Sequence, residues 1–277
     1  MTDPGRFGGH LVPLSADLPL LLEQIQGLVI HADQLDLYPV SREDFAGAAR
    51  TTLPVEERLA RTLDADPSAL TEPRQLAKRI PGTCRDYSLV LCAVLRERGR
   101  AARVRCGFAT YFKPGLYEDH WICEYLDETE GHWRIADAQL DAIHRSHFGV
   151  EFDPADVPRA CFLTANEAWT RIRSGADAAE RFGHGEAGGI WFLAVSLLRD
   201  FLALGKQETS NWDDWRAYDP KAAIFTEERL MQYDALAATV AQSSAGGNCL
   251  GDIAAADDVL TPFWQHGPTQ HNGSIPD

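Results

Sequence analysis

The sequence predicts an α+β fold, in which one central helix packs on an antiparallel sheet and helical regions precede and follow this core. Two observations support it: an apolar helical period that starts just after residue 84, and strand-like segments that follow it up to residue 136. We expect a helical N-terminal extension over 1–74, a core over 75–160 and a mainly helical C-terminal extension over 161–277 packed on that core. With 277 residues and 45% hydrophobic content, the chain can bury a substantial core.

The N-terminal extension is predicted to consist of helices. Leu14–Ile30 is rich in apolar residues, and Pro54–Leu63 is amphipathic, with a proline that suits a first helical turn. The start of the chain lacks a basic region, and Pro19 interrupts its short apolar stretch, which is unlike a signal peptide. Since no apolar run reaches about 18 residues either, we expect a cytoplasmic protein.

The central helix of the core is expected to begin near Cys84 and to end near Gly99. Its apolar side chains recur at helical spacing: Tyr87, Val90, Leu91, Val94 and Leu95. Cys84 then lies in the first turn, directly after a Pro-Gly loop. The unpaired N–H groups and the positive end of the helix dipole favour a thiolate over a thiol there. The same N–H groups can hold the oxyanion of a tetrahedral intermediate.

Three strands are predicted after this helix. Ala102–Phe112 alternates apolar and polar residues, as in a half-buried strand. His120–Leu126 is the second strand, with His120 as its first residue, and His132–Ala136 is the third, with Asp137 at its end. A hairpin of the last two strands would bring His120 and Asp137 close together.

Cys84, His120 and Asp137 are the residue types of a nucleophilic triad. A carboxylate beside an imidazole fixes its tautomer and stabilises the imidazolium, and the imidazole acts as base toward the thiol and as acid toward the leaving group. Each residue alone has an ordinary structural interpretation: free cysteines are commonly buried, and aspartates commonly end strands. The combination, in the expected elements, favours catalysis. Asp86, in the same helical turn, is expected to interact with the helix dipole or to pair with Arg85 or Arg103.

These residues resemble the transglutaminase-like superfamily of papain-like cysteine enzymes over roughly 75–140. The matching motifs are Gly82-Thr83-Cys84-Arg85-Asp86, Gly99-Arg100-Ala101-Ala102-Arg103, His120-Trp121 and Trp133-Arg134-Ile135-Ala136-Asp137. The resemblance implies a papain-like core with Cys84 as nucleophile, His120 as general base and acid, and Asp137 as orienting residue. We also expect Thr83 and Trp121 to contact the substrate. Arg100 replaces a usual small hydrophobic residue, and Trp121 stands where Ala-Trp is common.

The predicted reaction is attack of the thiolate on an amide or ester, which forms an acyl-thioester. Resolution by water would make the protein a hydrolase, that is, a protease, amidase or deamidase, which we favour. Resolution by a bound amine would make it an amide-forming acyltransferase, and a non-catalytic binding module on the same fold is a further alternative. The expected partners are a small-molecule or peptide acyl donor and, for transfer, an amine acceptor. The net charge of −15 disfavours nucleic acid and anionic membranes as partners.

We predict no cofactor and no metal site. His144 and His147 are three residues apart, but no third ligand stands near them. The cysteines form no Cys-x-x-Cys pair, which agrees with reduced thiols. The C-terminal extension carries aromatic and acidic residues that we expect in core packing more than in a pocket wall: Trp191, Asp200, Trp212, Asp213 and Trp215.

Overall fold

The structure is a computed structural model that describes residues 1–45, 54–209 and 225–245. Trp212, Asp213 and Trp215 lie outside the described residues, as does Cys249. The helices are α1 (Gly8–Leu11), α2 (Leu18–Gln26), α3 (Val55–Ala65), α4 (Cys84–Glu97), α5 (Ala142–Phe148), α6 (Ala165–Arg173), α7 (Ile190–Leu204) and α8 (Glu227–Ala245). The strands are β1 (Val29–His31), β2 (Ile80–Gly82), β3 (Ala102–Ala109), β4 (Tyr117–Asp127), β5 (His132–Ala136), β6 (Phe162–Thr164), β7 (Phe182–His184) and β8 (Ala187–Gly188).

The structure confirms the predicted α+β class, because helices accompany a mixed sheet. Its strands follow the order β6-β3-β4-β7-β8, with β5 paired to β4, while β1 and β2 form a separate parallel pair. The β4–β5 pairing is antiparallel, as expected for the predicted hairpin, and β4–β7 is parallel. Among the described residues, no helix has the length and apolar character that crossing a membrane requires.

The chain forms two compact units, and β3 and β4 each contribute residues to both. Unit 1 consists of Met1–Val104 and Trp121–Arg159, and unit 2 of Arg105–His120 and Ala160–Asp277. Unit 1 contains α4 and the β4–β5 pairing, whereas unit 2 contains α6, α7 and α8 around an apolar core that includes Trp169. The boundaries proposed from the sequence at residues 74 and 160 stay a prediction.

Strand β3 is buried on both faces, so the predicted half-buried strand is wrong. All eight of its residues are buried, including Arg103 and Arg105. Each arginine has a carboxylate partner in its own unit: Arg103 Nε lies 2.7 Å from Glu124 Oε2, and Arg105 Nη2 lies 2.7 Å from Asp200 Oδ2. The two arginines alternate with apolar residues, and both can be buried because each is paired with a carboxylate.

Strand β4 begins earlier than predicted, which makes His120 its fourth residue and not its first. The extra residues are held by a distant partner: Tyr117 and Glu118 pair with Phe182 and Gly183 of β7. The residues near His120 do not predict this pairing, because the partner strand comes from a much later part of the chain.

A buried polar network in unit 1 joins the start of α5 to the N-terminal region. Asp141, the N-cap of α5, accepts hydrogen bonds from the Tyr38 hydroxyl at 2.7 Å and from the backbone N–H of His144 at 2.8 Å. The His144 ring is fully buried, with Nδ1 2.9 Å from Asp141 Oδ1 and Nε2 2.7 Å from Gln34 Oε1. Burial acts to raise the pKa of Asp141, but the His144 and Tyr38 hydrogen bonds outweigh it and hold that pKa below its usual value.

Replacing Asp141 by asparagine is expected to lower the free energy of unfolding at pH 7 by about 1.5–3 kcal/mol, the usual range for hydrogen bonds to a charged group. A carboxyl with a lowered pKa in the folded state stabilises the protein above its unfolded pKa of about 3.9 and loses that contribution as the pH falls. The difference between the two proteins should therefore shrink below about pH 4. Urea denaturation at pH 7 and pH 3 measures both quantities.

Asp36→Asn is the matched control for this prediction. Asp36 forms an exposed ion pair with Arg42, with 76% of its side chain accessible. Its replacement should leave the free energy of unfolding essentially unchanged at either pH, because exposed ion pairs contribute little. An Asp141→Asn effect that is equal at both pH values would contradict the assigned role of the carboxylate.

Candidate active site

Cys84 is the first residue of α4, as predicted, and its side chain is largely buried, with 7% of the residue exposed. Thr83 precedes it with extended backbone angles and serves as the N-cap. The first N–H groups of a helix have no partner within the helix, and the dipole is positive at this end. Cys84 therefore lies next to these N–H groups, at the positive end of the α4 dipole.

A capping box fixes the first turn of α4. The carboxylate of Asp86 accepts a hydrogen bond from the Thr83 backbone N–H at 2.7 Å, and the Thr83 side chain accepts one from the backbone at Asp86. This reciprocal arrangement is the usual way to satisfy N-terminal donors. Thr83 thus has a structural role as N-cap, and its predicted contact with substrate stays a prediction.

Arg58 of α3 holds the same carboxylate in an ion pair. Its Nη2 lies 2.7 Å from Asp86 Oδ1, and both side chains are at least 94% buried. Arg58 Nη1 also donates at 3.3 Å to the carbonyl of Pro81, which lies in β2, the strand just before Cys84. Two expectations for Asp86 are confirmed, since it lies in the first turn of α4 and Arg85 Nη1 is within ion-pair distance at 3.9 Å. The third, a pair with Arg103, is wrong, because Arg103 pairs with Glu124.

Gly82 provides the space for this ion pair. A Cβ atom at Gly82 would lie 2.9 Å from Asp86 Cβ and Oδ2 and 3.1 Å from Arg58 Nη1. Contacts below 3.0 Å are not tolerated by real Cβ atoms, so a larger residue would displace the carboxylate. The predicted Pro-Gly loop is wrong, because Pro81 and Gly82 belong to β2 and pair with β1. The close approach at Gly82 accommodates a charge pair that the sequence motif does not reveal.

One signal in the sequence pointed to Arg58. The buried face of α3 consists of Val55, Arg58, Leu59 and Thr62, so the arginine occupies a position in the apolar stripe of an amphipathic helix. A charge at such a position needs a partner inside the protein, because an unpaired buried charge is costly. The stripe identifies the residue, but it does not identify Asp86 as the partner.

Ser88 connects α4 to β4 within unit 1. Its Oγ lies 3.0 Å from the Cys84 carbonyl oxygen and 3.0 Å from the Trp121 carbonyl oxygen. Trp121 follows His120 directly in the chain and is fully buried. Its side chain is a core residue of unit 1, and its predicted contact with substrate stays a prediction.

His120 belongs to unit 2, where its ring packs between aromatic side chains. Only 1% of the residue is exposed, and its ring makes edge contacts with Phe112 at 4.9 Å and Tyr111 at 5.9 Å between centroids. These rings were not singled out from the sequence. The adjacent Asp119 carboxyl has a raised pKa because it is buried, although Arg199 and His184 act in the opposite direction.

Asp137 lies directly after β5 in unit 1 and is held by the backbone. Its N–H donates to the Pro154 carbonyl at 2.8 Å, and its Oδ1 accepts the Gln139 N–H at 3.0 Å. Ala136, the residue before it, pairs with Cys123 of β4. With 1% of its surface exposed, the carboxylate has a fixed position and is protected from solvent.

Two of the three predicted residues, Cys84 and Asp137, are in unit 1, and His120 ends the Arg105–His120 segment of unit 2. Within unit 1, the helix that carries Cys84 is bonded to β4 through Ser88, and the strand before Asp137 pairs with the same stretch of β4. That stretch is joined to His120 by a peptide bond. Combined action of Cys84, His120 and Asp137 stays a prediction from the sequence.

No protein-family model, curated protein or solved structure matches this chain.

Proposed function

We propose that this protein performs thiol-dependent acyl chemistry on an amide or ester, as a hydrolase with a transglutaminase-like, papain-like core. The observation that carries the proposal is the position of Cys84 at the first residue of a capped, buried helix. A thiol at a helix N-terminus has a stabilised thiolate form, and the thiolate is the nucleophilic species. The buried imidazole and carboxylate of His120 and Asp137 are the other components that such a reaction needs.

In the proposed reaction, the Cys84 thiol gives its proton to His120, and the resulting thiolate attacks the carbonyl carbon as the carbonyl π electrons move to oxygen. N–H groups of the first turn of α4 stabilise this oxyanion. Collapse of the intermediate breaks the bond to the leaving group, which takes a proton from the His120 imidazolium. Asp137 orients the imidazole and stabilises its charged form.

Water completes the hydrolytic cycle. His120 takes a proton from water as the hydroxyl oxygen attacks the thioester carbon, and the carbon–sulfur bond breaks to release a carboxylic acid and regenerate the thiolate. The acyl donor is proposed to be a small molecule or a peptide, since both present a carbonyl group of this kind.

Transfer to an amine is the second candidate, and the burial of the site supports it. Cys84 is 7% exposed and His120 is 1% exposed, so bulk water has little access to either side chain. Exclusion of water protects a thioester from hydrolysis and gives a bound amine the advantage. The attacking amine would lose one proton to His120 and form an amide bond with the acyl carbon, while the carbon–sulfur bond breaks and the Cys84 thiolate leaves.

The test is to trap and map the acyl-enzyme. We expect p-nitrophenyl acetate to acetylate Cys84 and iodoacetamide to alkylate it at least tenfold faster than Cys161, although Cys161 is the more exposed thiol. Intact-mass and peptide-mapping mass spectrometry identify the modified residue. Partition of the acetyl group between water and added glycinamide then separates hydrolysis from transfer.

Cys84→Ala should abolish the acyl adduct, while urea unfolding remains cooperative. Cys161→Ala is the matched control and should retain the adduct and its rate. Acetylation of another cysteine, or equal alkylation of Cys84 and Cys161, would overturn the proposal and leave a binding module as the better interpretation.

A further inference from the structure

Unit 1 contains a cleft of about 420 Å³ that includes none of the three residues Cys84, His120 and Asp137 in its lining. Its walls come from α2, from the segment around Pro73–Arg79 and from the chain at the start of α5. A volume of this size is typical of sites for small molecules. The cleft is thus a second candidate site, separate in its residues from the proposed acyl chemistry.

The walls of the cleft combine apolar and charged side chains. The larger apolar contributors are Leu22, Leu76, Leu140 and Ile143. Such a surface suits an aliphatic or aromatic group, because burial of apolar area is the main favourable term in binding of this kind.

Two arginines line the cleft with terminal guanidinium nitrogens that contact no partner among the described residues. Arg79 Nε donates to the Arg74 carbonyl at 3.2 Å, which orients the guanidinium, while its terminal nitrogens have no hydrogen-bond partner among the described residues. In the same described part of the chain, the Arg145 guanidinium has no hydrogen bond or ion pair. Arginines with free terminal nitrogens can form paired hydrogen bonds with a carboxylate or phosphate.

The carboxylates of the cleft do not neutralise these arginines. Both Asp141 oxygens are occupied by Tyr38 and His144, and Asp153 Oδ1 accepts the Ala155 N–H at 2.9 Å. Glu23 is the remaining acid of the lining, and it forms no ion pair with either arginine in the described structure. The acids nevertheless add negative potential, which disfavours a doubly charged phosphate more than a singly charged carboxylate.

We propose that this cleft binds a small monocarboxylate with an apolar body, of the kind represented by an N-acylated aliphatic amino acid. The carboxylate is bound by the Arg79 guanidinium with support from Arg145, and the apolar body contacts the leucine and isoleucine side chains. This site does not depend on Cys84, so it goes beyond the proposed acyl chemistry and can be tested separately from it.

The test uses three probes on the full chain: N-acetyl-L-leucine, L-leucinamide and inorganic phosphate. Saturation-transfer difference NMR detects weak binding of the two leucine compounds and shows which of their protons contact the protein, and phosphate binding is measured by its competition with N-acetyl-L-leucine. We expect saturable binding of N-acetyl-L-leucine with the strongest transfer to its methyl groups. L-leucinamide, which lacks the carboxylate, and phosphate, which lacks the apolar body, should each bind at least tenfold more weakly.

Arg79→Gln should weaken the binding of N-acetyl-L-leucine at least tenfold, and Arg79→Lys, which keeps the charge, should recover part of the lost affinity. Arg61→Gln is the matched control, since Arg61 is an exposed arginine of α3 outside the cleft, and it should bind as the native protein does. Cys84→Ala should also bind normally, which keeps this result independent of the acyl chemistry. Absence of saturable binding, equal binding of L-leucinamide, or native affinity in Arg79→Gln would overturn the proposal.

Discussion

Replacement of Asp200 by leucine is expected to lower the free energy of unfolding by about 3–5 kcal/mol, because it leaves a buried charge without its partner. Arg105 and Asp200 lie in unit 2 with 1% and 0% of their side chains exposed. Arg105 Nε and Nη2 donate to the two Asp200 oxygens at 2.8 and 2.7 Å, a bidentate geometry, and Cys106 N–H donates to the same carboxylate at 3.1 Å. Urea denaturation provides the measurement.

A double-mutant cycle separates the pair from its surroundings. Arg105→Met should cost a similar amount, whereas the double variant Arg105→Met/Asp200→Leu should be much more stable than the sum of the two single effects predicts. Replacement of a buried ion pair by apolar residues of similar volume is often close to neutral. Additive losses would show that the two side chains do not act as a pair.

The matched control is Arg173→Met at the ion pair between α6 and α8. Arg173 Nη2 lies 2.9 Å from Asp234 Oδ2, but 28% and 39% of these side chains are exposed. We expect a loss of less than about 1 kcal/mol, as for other solvated pairs. The difference between the stability losses of Arg105→Met and Arg173→Met measures how much burial contributes to the ion pair.

Replacement of Arg58 by methionine is expected to destabilise the protein by about 3 kcal/mol and to slow the alkylation of Cys84. The stability loss should lie at the lower end of the usual range, because Arg85 Nη1 remains 3.9 Å from the Asp86 carboxylate. The alkylation rate should fall because Asp86 and the Pro81 carbonyl, which fix the turn at Cys84, both lose their contact with Arg58.

Arg61→Met provides the control in the same helix. Arg61 pairs with Glu57 at the surface, with 43% of its side chain exposed, so its replacement should change neither stability nor alkylation appreciably. Alkylation is compared at urea concentrations where each variant remains fully folded. If Arg58→Met loses stability but Cys84 reacts at the native rate, Arg58 has no part in positioning the thiol.

The features that the sequence predicts well are local. The start of α4 at Cys84 follows from the Pro-Gly pair before it and the apolar period after it, all within a few residues of each other. Strand β5 has the predicted bounds, and β4 pairs with it in the predicted antiparallel manner. The start of α4 and the bounds of β5 have their signals in nearby residues, so distant parts of the chain do not change them.

The features that the sequence misses depend on residues far apart in the chain. Burial of Arg105 requires Asp200, the position of Asp86 requires Arg58, and the early start of β4 requires β7. From a short sequence segment alone, charged residues are predicted to be exposed, because most charged residues are. Exceptions occur where another helix or strand supplies the oppositely charged partner, which lies outside that short segment.

The Ser88 hydroxyl has one hydrogen and two carbonyl oxygens at equal distance, those of Cys84 and Trp121. At any instant it can point fully at only one of them. When it faces Cys84, it closes a turn of its own helix; when it faces Trp121, it joins that helix to the strand. The hydrogen bond between the thiol-bearing helix and β4 therefore shares its donor with a bond inside the helix, and rotation about the Ser88 Cβ–Oγ bond moves the hydrogen from one acceptor toward the other.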